Sequence, residues 1–248
     1  MIQQQINPKY QEAFASFFEN IKKHFLQSDT SIHKARNEIK IIEHNTGKCV
    51  VKSFKIPHLL NKIIYTFFRT SKAYKSYAYS LKIAPYAPEA IGYVEFRKFG
   101  LLHDSYYVSE YFDYDFTIRE PLLEVDFEDR ETIFKAFAKF TYELHEKEIL
   151  HLDYSPGNIL IKKEENGYTF KIVDINRMKF KSLSLDERLK NFAKLWIKDE
   201  DLKVVVQVYA NLCHEDESLC INKALNFSRK HKNRINAKKR LKGVPVVD

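Results

Sequence analysis

The sequence predicts an α+β fold in two lobes, the first built on an antiparallel sheet and the second mainly helical. Three observations carry this. Short apolar runs joined by Asn-Thr-Gly or Asn-Gly turns occur at residues 38–54 and 159–173, the pattern of β-hairpins. Stretches with apolar residues every three or four positions, at 8–26, 57–83 and 132–145, read as helices, as does 185–227. Asp153 and Asn158 lie on a loop containing Pro156 and Gly157, and Asp174 follows the second hairpin. Closing that hairpin would bring the three side chains around one small volume.

The bulk properties fit such a chain. It has 248 residues, 44% of them hydrophobic and 14% aromatic, enough for a substantial core. No apolar run approaches the ~20 residues needed to cross a bilayer. The Gln-rich N-terminus does not read as a secretory signal. Cys49, Cys213 and Cys220 are odd in number and lack metal-ligand spacing, so they read as reduced thiols of a cytoplasmic protein. The formal charge of +8 is unevenly placed. Eight of the basic residues lie between Arg229 and Lys242, where no acid occurs, and the other 33 balance 33 acids. The tail is poor in aromatics, which disfavours stacking on nucleic acid and leaves two readings, a solvated charge run and attraction to an anionic membrane surface or the phosphates of lipid A.

Taken in order, residues 1–30 read as an N-terminal helical extension, with Phe14, Phe17, Phe18, Ile21 and Phe25 on one face. Residues 31–111 form the sheet lobe. Its hairpin runs Glu38–Glu43 to Lys48–Phe54, a helix covers 57–83, and strands follow at Ile91–Phe96 and Tyr106–Ser109. Residues 112–228 form the helical lobe, with Thr132–His145 leading into the Asp153 loop and Trp196 in the core. Residues 229–248 are a basic C-terminal segment.

The chemistry follows from residue types and spacing. His151, Asp153 and Asn158 match three of the four anchors of the protein kinase catalytic loop H-R-D-x-x-x-x-N, with Leu152 in place of the arginine. Asp153 would accept the proton of an attacking hydroxyl. Asn158 and Asp174 would supply oxygens to Mg²⁺, a hard cation shared with the phosphates of ATP. Lys52 ends the apolar run Val50–Val51, where a kinase places its phosphate-gripping lysine. No G-x-G-x-x-G precedes it; Arg36, in the turn before the first hairpin, is a further candidate phosphate contact. Glu110–Phe112 would cross between the lobes and meet the adenine.

Two departures shape the expectation. No acid occurs between Ile56 and Pro88, so the helix lacks the glutamate that pairs with the strand lysine, leaving Glu89 or Glu95 as substitutes. About ten residues separate Asp174 from the helix near Ser184, with no A-P-E. Together with Leu152, this predicts an enzyme not switched by loop phosphorylation and acting on a non-protein acceptor.

Asn37–Lys40, Val51–Pro57, Pro88–Ile91, His151–Ile159 and Val173–Met178 resemble the bacterial lipopolysaccharide kinase family, the Kdo/heptose kinases, in its Bacteroidetes-type branch. The resemblance spans roughly residues 7–240. It implies a protein-kinase-like fold and ATP- and Mg²⁺-dependent phosphorylation of an inner-core sugar on a lipid A precursor, peripheral to the inner face of the inner membrane. Carried over, Asp153 is the base, Asn158 and Asp174 hold the metal, and Lys52 binds phosphate. Relatives carry a glutamate near Tyr74–Ala78 and often a glycine where Ala35 stands. Two alternatives stay open: a pseudokinase serving as a binding or scaffold module, and a small-molecule kinase of the aminoglycoside or choline type.

Overall fold

The computed structural model describes residues 1–34, 37–54 and 70–246. The chain divides into two compact units, Met1–Asp113 and Tyr114–Asp248.

The first unit is a six-stranded antiparallel sheet with helices on both faces. Its strands are β1 (Ile2–Ile6), β2 (Ser31–Lys34), β3 (Asn37–His44), β4 (Gly47–Phe54), β5 (Ala90–Lys98) and β6 (Leu101–Glu110), in the spatial order β1-β5-β6-β4-β3-β2. The expected helical extension over 1–30 is thus corrected at its start, because residues 2–6 pair with β5 from Ile2↔Phe96 to Ile6↔Gly92. Only Ile6 of this strand is buried, so the Gln-rich run suits an edge position. Gly92 permits the close approach: a Cβ there would lie 2.6 Å from the Phe18 ring and 2.7 Å from the Gln5 carbonyl.

The helix expected over 8–26 is split. A 3₁₀ turn at Pro8–Tyr10 is capped by Asn7, and α1 (Gln11–Glu19) and α2 (Ile21–Gln27) meet at Asn20. The Asn20 amide donates to the Ser16 carbonyl at 3.1 Å, competing with the helical ladder. The apolar face survives the break. Phe14, Phe17, Phe18, Ile21 and Phe25 pack on Ile42, Val51, Val94 and Val108 of the sheet. The buried Lys40 Nζ donates to the carbonyls of Phe25 (2.8 Å) and Ser28 (2.7 Å), satisfying the end of α2.

The opposite sheet face meets α3 (Lys72–Lys82), whose Ser71 cap accepts from the Tyr74 amide. Ala73 and Tyr77 pack there with Phe54, Ala90, Tyr93 and Tyr107. The first part of the helix expected over 57–83 lies outside the described residues. β5 and β6 run longer than the sequence predicts. Phe99 (φ 51°) and Gly100 (φ 76°) make a tight turn between Lys98 and Leu101, a conformation that suits hairpin twist but is unusual for Phe.

The second unit contains α4 (Arg119–Leu123), α5 (Arg130–Glu146), α6 (Leu185–Asn191), α7 (Asp199–Cys213) and α8 (Glu217–Arg240). Its strands are β7 (Phe116–Thr117), β8 (Ile149–His151), β9 (Ile159–Glu164), β10 (Gly167–Ile172) and β11 (Met178–Phe180), which form the ladders β10-β9-β7 and β11-β8. α5 packs on α7, and α7 on α8. The Arg130 guanidinium, 2.6 Å from the Asp201 carboxylate, ties α5 to α7. The stretch 185–227 is helical but interrupted. Trp196 stands at one interruption with φ 56° and is 40% exposed, not in the core; His231 and Lys239 cover its ring. The basic residues 229–240 continue α8, which ends in a Schellman cap: Val244 N–H donates to Lys239 O and Gly243 N–H to Arg240 O, both at 3.0 Å.

Candidate active site

The Asp153 loop starts where β8 ends. β8 pairs with β11 (His151↔Met178), and the Leu152 N–H donates to the Arg177 carbonyl at 2.9 Å. His151 then turns inward and organises the loop from beneath. Its Nδ1 accepts from the Asp153 N–H at 3.0 Å, so Nε2 carries the proton and donates to the Val173 carbonyl at 3.0 Å. Burial lowers its pKa, which keeps the ring neutral and able to do both. One imidazole thereby holds the Asp153 backbone and the residue before Asp174.

The hairpin supplies the other constraints. β9 and β10 pair in register from Ile159↔Ile172 to Glu164↔Gly167, with the Glu165-Asn166 turn and Gly167 at φ 139°. The ladder extends one step further, since the Val173 N–H donates to the Asn158 carbonyl at 2.9 Å. Asn158 in turn donates its side-chain amide to the Asp153 carbonyl at 2.9 Å. Backbone and side-chain bonds thus collect Asp153, Asn158 and Asp174 at the foot of one hairpin. Asp174 has left-handed backbone (φ 56°), strain that clusters at functional sites and that Asp tolerates better than most residues.

These groups fit a hard cation. With its NH₂ committed to Asp153, the Asn158 amide presents oxygen on its other side. The Asp174 Oδ1 accepts from Asn176 at 2.5 Å, which orients the carboxylate. Among the described residues no cluster of three His, Cys, Asp or Glu side chains could hold a metal. A carboxylate plus an amide suits a cation that takes its remaining ligands from phosphate and water.

Behind the loop lies a relay that the sequence did not single out. The Tyr209 hydroxyl on α7 meets His145 Nδ1 at 2.7 Å, and His145 Nε2 meets the Asn191 amide oxygen at 3.2 Å. The Asn191 NH₂ then donates to the His151 carbonyl at 3.0 Å. Burial lowers the His145 pKa to about 4. Tyr154, fully buried, bonds Thr141 of α5 at 2.9 Å and anchors the loop on its other side. The partners sit 13 to 64 residues apart, so no local pattern announces them.

The remaining predicted residues belong to the first unit. Lys52 stands on β4 between Ile39 and Tyr107 in register, nearly buried, on the sheet face that carries Phe54 and Tyr107. Its ammonium lies 5.4 Å from the Phe54 ring centroid. α3 contains no acid. Of the substitutes, Glu89 pairs with Lys9 at 2.5 Å. Glu95, 4% exposed, accepts from the Ser71 hydroxyl at 2.5 Å and lies 3.3 Å from Arg97. The Glu110 carboxylate accepts from the Tyr10 hydroxyl at 2.5 Å, and its N–H pairs with the Glu89 carbonyl. Phe112 is half-buried just beyond, and Arg36 lies outside the described residues. A cavity of about 480 Å³ in this unit, lined by His24, Asp29, Glu43, Lys48 and Tyr111 among others, reaches the expected 110–112 crossing only at Tyr111 and touches none of Lys52, Glu110 and Phe112.

No protein-family model matches the chain, and no curated protein matches its sequence. Solved structures do resemble it. WaaP in complex with acyl carrier protein is similar at 12% identity with a TM-score of 0.58, over 95% of this chain and 98% of the other. The kinase domain of maize SIRK1 (sucrose-induced receptor kinase 1) bound to AMP-PNP is similar at 13% identity with a TM-score of 0.50, over 83% and 95%. The chain has a protein-kinase-like fold. β8–β11 frame the Asp153 loop, and nine residues separate Asp174 from the Ser184 cap of α6. That cap is a full capping box with Glu187.

Proposed function

We propose that this chain is an ATP-dependent phosphotransferase whose acceptor is a sugar hydroxyl of the Kdo or heptose type on a lipid-linked precursor. The observation that carries the reading is the hairpin foot. There a neutral His151 holds the Asp153 N–H and the Val173 carbonyl, and Asn158 is bonded to the Asp153 carbonyl. In the proposed reaction, Asp153 takes the proton of the acceptor hydroxyl as its oxygen attacks the γ-phosphorus and ADP leaves. Asn158 and Asp174 would hold magnesium, which when bound would offset phosphate charge. Lys52 steadies the phosphates, and backbone groups near Glu110 and Phe112 meet the base. The short segment after Asp174 offers no platform for a peptide, which favours a small or lipid-borne acceptor.

The basic helix fits a membrane-borne substrate. Lys230, Arg234 and Lys238 are exposed at four-residue spacing on one side of α8. Each cation near an anionic surface contributes on the order of 1 kcal/mol. Among the described residues no helix is long and apolar enough to cross a membrane.

One observation favours a second reading, a catalytically silent binding module: α3 lacks an acid, and Glu89 and Glu95 are engaged by other residues. A single assay separates the two. The protein is incubated with ATP, Mg²⁺ and a Kdo–lipid A acceptor in anionic or zwitterionic vesicles, and products are weighed by mass spectrometry. We expect a gain of one phosphate, faster on anionic vesicles. Asp153→Ala should lower turnover by about 10²–10⁴-fold, and Asp174→Ala should weaken Mg-ATP binding. Full turnover in Asp153→Ala removes the assigned base. Equal rates on both vesicles remove α8 from the account.

A further inference from the structure

The loop that carries Asp153 has a guanidinium at each end. Arg177 NH1 lies 3.3 Å from the Asp153 Oδ2, and Arg119 passes so close to Gly157 that a Cβ there would sit 2.7 Å from its NH2. Arg177 is held in place through its backbone: its carbonyl accepts from the Leu152 N–H, and the next residue, Met178, pairs with His151. Its side chain, by contrast, is open. The Arg177 and Asp153 side chains are 56% and 39% exposed. An ion pair this long and this wet adds little to stability. One long contact to Asp153 also leaves most of the five guanidinium N–H donors uncommitted.

The arrangement has a use if the acceptor is itself charged. A hydroxyl that reaches Asp153 brings its neighbouring carbons within a few ångströms of Arg177. An oxyanion on one of those carbons would meet a planar fork that matches carboxylate and phosphate geometry. We propose that Arg177 binds a carboxylate or phosphate group carried by the acceptor beside the hydroxyl that is phosphorylated, so that the enzyme selects acidic sugars over neutral ones. On binding, the acceptor's anion takes the guanidinium over from Asp153 and leaves that carboxylate to the hydroxyl. Arg177 is then a specificity residue in direct contact with substrate. The inference rests on the phosphotransferase reading and names the chemistry of its acceptor.

The test compares a Kdo glycoside with its carboxamide, which is nearly isosteric but neutral, and a heptose glycoside with and without a phosphate next to the free hydroxyl. For wild type, Arg177→Gln and Arg177→Lys, kcat/KM is measured for each acceptor. Calorimetry without nucleotide measures binding. We expect wild type to prefer one charged member over its neutral partner by about tenfold or more. Which pair shows the preference identifies carboxylate or phosphate. Arg177→Gln should bring that ratio near one, mainly through KM, and Arg177→Lys should keep part of it. A wild-type ratio near one in both pairs, with phosphate still transferred, overturns the inference and leaves the kinase reading standing. An unchanged ratio in Arg177→Gln overturns it equally. If no acceptor is phosphorylated, the kinase reading fails for these sugars. Equal calorimetric affinities of wild type and Arg177→Gln would then overturn the Arg177 assignment as well.

Discussion

In the second unit the Asp153 loop hangs on buried neutral groups, whereas in the first unit the buried acid on the sheet is met by a cation and a hydroxyl. Tyr209, His145, Asn191 and the His151 carbonyl pass hydrogen bonds from α7 to the loop without a formal charge. Glu95 instead faces Arg97 and Ser71 at the end of β5. Neutral relays keep their geometry only while every donor and acceptor is matched, because the dry surroundings make an orphan expensive. The pair on the sheet keeps its cation in reach of water, with the Arg97 side chain 22% exposed, and Glu95 has a second partner in Ser71, so it tolerates imperfection better. The loop geometry is thus the fragile asset, and the sheet the forgiving one.

The sharpest way to break that contrast is Asn191→Ala. It leaves the His145 N–H and the His151 carbonyl without their partner, which should cost about 2–4 kcal/mol, read as a lowered denaturation midpoint. Turnover should fall with it even though Asn191 is buried behind the loop. A midpoint unchanged by the substitution would show that the relay does not hold the loop.

Acid should act on the same relay. His145 is neutral in the folded chain, with its pKa lowered to about 4 by burial. The unfolded chain takes up that proton near ~6.5. Below that value the unfolded state binds a proton that the folded state refuses. The contribution is therefore complete above pH ~6.5 and fades as pH falls toward about 4, by at most about 3 kcal/mol. His151, shifted in the same direction by burial, adds to the trend. Thermal melts from pH 7.5 to 5 check this. His145→Gln should be less stable at pH 7.5 but flatter with pH.

The smallest effect is expected in the first unit. Glu95→Gln keeps an acceptor for Ser71 and weakens only the contact to Arg97, at a cost of about 1 kcal/mol. Chemical denaturation measures it. A loss larger than that of Asn191→Ala would reverse the comparison.

Legibility in the sequence divides along the same line. The loop and its hairpin were legible because their signals are local: an Asp and an Asn at fixed spacing, then apolar runs around Asn166-Gly167. The Ser184 start of α6 was legible for the same reason, its capping box lying within four residues. β1 was not, since Gln3–Gln5 carry no strand signal of their own and take their conformation from β5, some ninety residues away. The extra length of β5 and β6 was hidden by a turn that places Phe99 in a conformation it rarely adopts. Trp196 was misplaced because bulk suggests burial, while its left-handed backbone turns the ring toward α8 and water. The relay could not be foreseen, since its members share a site only after α5, α6 and α7 have packed.

The pairing of β11 with β8 has one more consequence. In many kinases the chain beyond the metal-binding aspartate is a gate that swings aside when the enzyme is silent. Here Met178–Phe180 is laced to Ile149–His151, so the would-be gate is part of the floor. Lifting it would tear out the imidazole that seats the Asp153 backbone, and such a molecule has no cheap resting posture short of partial unfolding.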